Sequence, residues 1–136
     1  MMKDLLAVVP ADVRRAGAND LEIADAQRQV GCALPSDFVN FLRLSNGAEG
    51  YLRPGAYLQL FRAGELKEIN VAASVDEFAP GFLIFGSDGQ GTSYAFDYRR
   101  PGTPVVAVKD EEMSRETAVV VASSFTDFIR GLLGER

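Results

Sequence analysis

The chain has 136 residues, 47% of them hydrophobic and 10% aromatic, which suits one domain with a real core and is too apolar for a disordered segment. It holds no histidine and one cysteine, Cys32. That composition removes Ser-His-Asp and Cys-His nucleophile systems, histidine-ligated metals, multi-cysteine zinc sites and any internal disulfide. Net charge is −5 and unevenly placed: residues 65–116 hold ten acidic and five basic side chains, the remainder nine of each. An acidic balance argues against nucleic acid, whose phosphates need Lys and Arg, and suits a basic partner. No segment approaches the roughly 18 apolar residues of a membrane span, and Pro10 cuts the first apolar run short of a signal peptide. With a lone unpaired cysteine, the expected compartment is the cytoplasm.

In chain order, Met1 to Val9 reads as a short helix or an irregular arm. Asn19-x-x-Glu22 can form a capping-box start, Ile23, Ala26 and Val30 give helical spacing, and Gly31 ends that helix. Pro35 and Ser36 start a second helix, in which the Ser36 hydroxyl can cap. Phe38, Phe41 and Leu42 form its apolar face, and Asn46-Gly47 ends it with a left-handed glycine. Gly47 to Gly55 reads as a loop, and Tyr57 to Phe61 as a strand. Ala63 to Glu77 is ambiguous, with a helical turn around Glu65–Ile69. Phe82 to Phe85 reads as a central strand buried on both faces. Ser93 to Tyr98, Val105 to Val108 and Ala118 to Ala122 are further strands, with Asp110 to Glu116 a charged loop. Phe125, Phe128, Ile129, Leu132 and Leu133 form the strongest amphipathic stripe, capped by Ser124 with Asp127. Helices at the ends and strands between them indicate an α+β single domain over residues 1–136, a mostly antiparallel central sheet of about five to six strands flanked by helices.

Several features could carry chemistry. Gly86-x-x-Gly89-x-Gly91 lacks the Lys-Ser/Thr of a phosphate loop and precedes a strand, so it reads as a hairpin. Asp88 and Asp97 flank that hairpin and could face one another as an acid/base pair. The plainer reading is a turn aspartate bonding its own backbone and a strand-end carboxylate. Asp110-Glu111-Glu112 beside Glu116 reads as a solvated loop when taken alone. Tyr94 and Tyr98 share a strand face with Phe96 that should point to the core, while Cys32 reads as a small buried apolar residue. The basic pairs Arg14-Arg15 and Arg99-Arg100 are too few for a nucleic-acid track.

Several segments, in order, resemble the SUKH superfamily (the Smi/Knr-type domain) over about residues 20–133. They are Ile23–Gly31, Leu34-Pro35 through Asp37-Phe38 and Phe41-Leu42 to Asn46-Gly47, Phe82–Gly91, Tyr94–Asp97 and Ser123–Ile129. Gln27 stands where the family usually has Glu. The resemblance implies an α+β binding module, not an enzyme. Its bacterial members are commonly immunity proteins that block a toxin domain, often a nuclease. The alternative it leaves open is an intracellular regulatory or scaffold module with a non-toxin partner; a carboxylate-based enzyme or small-ligand binder stands third. Leu34, Phe38, Phe41, Leu42, Phe125 and Phe128 are expected in the core. No catalytic residue, metal ligand or cofactor is assigned. The partner-facing candidates are Asp88, Asp110, Glu111, Glu112 and Glu116, on turns or loops at strand ends, with Glu49 in the loop after the second helix.

Overall fold

Local signals set the first two helices. The computed structural model describes residues 15–134, so the reading of Met1 to Val9 lies outside the described residues. Helix α1 (Asp20–Val30) opens on a complete capping box: the Asn19 side chain accepts from the Glu22 N–H at 2.8 Å, and the Glu22 carboxylate accepts from the Asn19 N–H at 2.9 Å. Gly31, at φ 79°, closes it. The unusual Gln27 keeps an acceptor at its position, taking the Leu34 N–H at 2.8 Å across the turn.

Helix α2 (Ser36–Leu44) differs from expectation at both ends. Pro35 holds the cap position in an extended conformation and Ser36 is already inside the helix, so no hydroxyl caps it. Asp37 serves the first turn instead. One of its oxygens accepts from the Phe38 N–H at 2.9 Å, and the other takes the Thr126 N–H and hydroxyl, each at 3.0 Å. At the far end the chain leaves the helix through an extended Ser45, and Gly47 at φ 88° turns it into the first strand.

Six strands form one antiparallel sheet whose spatial order is the chain order: β1 (Ala48–Tyr51), β2 (Tyr57–Leu60), β3 (Phe82–Ser87), β4 (Thr92–Asp97), β5 (Val105–Lys109) and β6 (Val119–Ala122). β1 lies inside a segment expected to be loop. Between β2 and β3 the ambiguous segment folds as a 3-10 turn (Ala63–Glu65), helix α3 (Leu66–Ala72) and helix α4 (Val75–Phe78). Helix α5 (Phe125–Leu132) closes the described chain, with the Ser124 hydroxyl accepting from the Asp127 N–H at 3.1 Å.

Alternation along β3 splits its side chains between two cores. Leu83 and Phe85 join Phe96 under α1, α2 and α5, where Phe85 stacks on Phe96 at 4.2 Å. Phe82 and Ile84 join Ala95, Val106 and Val108 on the opposite face, where Val75 and Ala79 cover them. The apolar run of β3 is therefore that of a strand buried on both sides. All six residues expected in the core are buried there, and Tyr94 packs its ring on Phe128 at 4.7 Å. Cys32 is half-buried against the first core.

Asn70 repairs a gap in this sheet. β2 pairs with β3 only at Gln59–Ser87 and Leu60–Gly86, which leaves Ile84 without a strand on that side. The Asn70 amide takes the strand's place: its oxygen accepts from the Ile84 N–H at 2.8 Å, and its nitrogen donates to the Ile84 carbonyl at 3.0 Å. Replacing Asn70 with Leu keeps the branched outline and strands both groups, so stability should fall by about 2–3 kcal/mol. Urea unfolding checks this; a midpoint equal to wild type would refute the role.

Candidate functional site

The register decides which carboxylates meet. Asp88 sits in the β3–β4 turn, where one of its oxygens accepts from the Gln90 N–H at 2.7 Å and the Thr92 N–H at 3.1 Å. It holds its own hairpin, the plainer of its two readings. Gly89 lets the Tyr57 ring lie against that turn, since a Cβ there would come within 2.9 Å of the ring. Asp97 closes the opposite end of β4, opposite Phe82, so the two aspartates do not face one another. Asp97 is fully buried and bound by Arg99 through Nε at 3.0 Å and a terminal nitrogen at 2.9 Å, by the Arg99 backbone N–H at 3.0 Å, and by Arg100 at 3.1 Å. Burial alone would push its carboxyl up; the guanidinium and backbone donors outweigh that and hold it below the usual carboxylate value.

The acidic run after β5 does come together with apolar surface. Asp110–Glu112 form a 3-10 turn tied to the neighbouring hairpin: the Asp110 N–H donates to the Gly91 carbonyl at 2.8 Å, and Ser93 donates its hydroxyl to the Asp110 carboxylate. Glu111 and Glu112 form no ion pair among the described residues. The turn borders a concavity of about 490 Å³ whose other walls are Ala73, Phe78, Met113, Ser114 and Thr117. Phe78 is 53% exposed, large apolar surface left open beside three carboxylates. Such a concavity can take the aliphatic stem of a lysine or arginine and pair its charged head at the rim.

The remaining candidates stand apart from it. Glu116 accepts the Ser114 hydroxyl at 2.8 Å and does not line the concavity. Glu49 lies in strand β1, not in a loop, opposite Gln59. Its carboxylate accepts the Tyr57 hydroxyl at 2.5 Å and lies 3.5 Å from Arg15. Hydrogen bonding to Glu49 holds the Tyr57 hydroxyl above its ordinary value. Phe78 and Met113 were not singled out from sequence: the helical insert that brings Phe78 to the acidic turn has no pattern naming its docking face, and Met113 is a lone apolar residue after the acidic run.

A second concavity, of about 440 Å³, lies at the other end of the sheet between the end of α1, α3–α4 and the start of β3. Cys32, Lys67, Val71, Phe82 and Tyr98 are among its walls. Tyr98 donates its hydroxyl to the Ala33 carbonyl at 2.8 Å, and burial, then contact with Cys32, pushes that hydroxyl far above its ordinary value. Among the described residues no group of three or more His, Cys, Asp or Glu is placed to hold a metal ion, and no helix is long and apolar enough to cross a membrane.

Among the described residues a six-stranded antiparallel meander with helices on both faces makes this a small α+β domain with an acidic concavity on its surface. The chain belongs to the SMI1 / KNR4 family (SUKH-1), whose model matches residues 17–131. The family is generally one of non-enzymatic binding modules, and membership fits an immunity or Smi/Knr-type module. No curated protein matches the chain significantly.

Proposed function

We propose that the domain is a cytoplasmic immunity protein that binds and neutralises a basic, nuclease-type toxin domain. The observation that carries this reading is the concavity in which Asp110, Glu111 and Glu112 rim the exposed Phe78 ring and Met113. Family membership supports a binding role. The charge supports the partner's sign: a nuclease holds phosphates with cations, and an acidic surface complements them. An aromatic ring beside charge is also the composition of an interface anchor.

The test is association kinetics with any toxin domain found encoded beside the gene. Long-range attraction speeds encounter, and salt weakens it as the Debye length shrinks from about 10 Å at 0.1 M to about 3 Å at 1 M. The double reversal Glu111→Lys/Glu112→Lys should slow association about tenfold at low salt, leave melting unchanged, and differ little from wild type at 1 M salt. Phe78→Ala should act on dissociation instead. A cognate partner whose association rate ignores both salt and the double reversal would overturn the proposed surface. A non-toxin partner would favour the regulatory reading.

A further inference from the structure

The two edges of the sheet are guarded very differently. Edge strands that carry a charge, a proline or a distortion resist pairing with another chain. β1 carries Glu49 at its centre with Arg15 across it, and Gly50 at φ 147°. β6 is Val119-Val120-Val121-Ala122, with no charge and no proline, and its three valines are 61%, 45% and 48% exposed. Its one irregularity is a bulge: Val105 pairs with Ala122 and Val106 with Val120, so Val121 has no partner in β5. Among the described residues the outer backbone groups of β6 meet no further strand in the sheet.

We propose that this free edge of β6 pairs antiparallel with the same edge of a second copy of the chain, joining two sheets into one. The edge's own composition selects this occupant: an uncharged valine strand is complementary to itself. Apposing β6 with itself buries valine on valine and sets no charge against another within the strand. Parallel apposition would bring the two Asp110–Glu116 loops together; antiparallel apposition separates them. It also carries Arg115, which has no carboxylate partner among the described residues, toward the start of α5 and Asp127 in the second copy. Four residues and a bulge bury less than the roughly 1,200 Å² of a standard interface, so the pairing is weak, with a dissociation constant on the order of 10⁻⁴ M. Each copy carries net charge −5, so self-pairing should strengthen as salt rises, opposite in sign to capture of a basic partner.

Sedimentation equilibrium from about 10 µM to 1 mM tests it, since that range brackets the expected constant. The average mass should climb from 14.7 kDa toward twice that value, more steeply in 0.5 M than in 0.1 M salt (about a halving of the Debye length). Val121→Lys, at an exposed bulge position, should stay monomeric with unchanged melting, and Val119→Lys should behave likewise. Arg115→Glu should weaken pairing and Arg115→Glu/Asp127→Arg restore it. A wild-type chain that stays monomeric at the highest concentration overturns the proposal, as does self-association that both lysine variants leave intact.

Discussion

Replacing Phe38 with alanine is expected to destabilise the domain by about 3–5 kcal/mol, lowering the melting temperature by about 10 °C or more. The side chain is fully buried, and its ring meets those of Phe85, Phe96 and Phe125 at centroid distances of 5.5, 5.3 and 5.1 Å. It is the point where α2, two central strands and α5 touch, so no single neighbour can move to fill the space. Phe128→Ala should fall in the same class, because its ring stands edge-on to Phe85 at 5.6 Å. The control is Phe78→Ala: its ring is mostly exposed, and the change should stay within about 0.5 kcal/mol. Thermal unfolding of the three variants checks the order, and equal losses at Phe38 and Phe78 would refute this picture of the core.

Asp97→Asn should remove about 2–4 kcal/mol at neutral pH. The carboxylate is buried at the end of β4 and is the common acceptor for two guanidinium groups and the Arg99 backbone N–H. The partners are partly exposed, which keeps the loss below that of a fully buried pair. The folded-state carboxyl titrates below its ordinary value. Between the folded and unfolded values the unfolded chain therefore holds more protons, and stability rises with pH. The contribution is complete above the ordinary carboxylate range and is lost as pH falls through the folded value. Urea midpoints for wild type and Asp97→Asn should thus lie well apart at neutral pH and draw together on acidification. A gap that stays constant through the carboxylate range would sink this assignment.

What could be read from the chain is what is encoded locally. The capping box at Asn19 and Glu22, the left-handed Gly31 and the stripe from Phe125 to Leu132 each depend on residues a few positions apart, and each stands as expected. The buried run of β3 was legible because alternation cannot explain four consecutive apolar side chains. β1 was not: in Ala48-Glu49-Gly50-Tyr51 only Ala48 is buried, and two glycines nearby signal a loop. It becomes a strand because β2 offers it an edge. α3 and α4 were only half visible, since Leu66 and Val75 are buried against different neighbours on either side of Ser74, which sits at φ 53°. The role of Asn70 depends on where β2 leaves β3, a fact of register that no window of sequence contains. The separation of Asp88 from Asp97 has the same origin. So does the meeting of Phe78 with Glu111 and Glu112, which joins segments more than 30 positions apart.

The meander has a consequence for the nascent chain. Each strand finds its partner in the segment synthesised just before it, so loop closure is cheap and the sheet can zip forward as it is made. The rings of Phe85 and Phe96 nevertheless wait for Phe125 and Phe128, which the ribosome delivers after every strand is finished. For that interval one face of a formed sheet stands without its last helix, the kind of intermediate that chaperones shield. The wait ends when Thr126 reaches Asp37, 89 positions earlier in the chain, and locks the last helix onto the first cover.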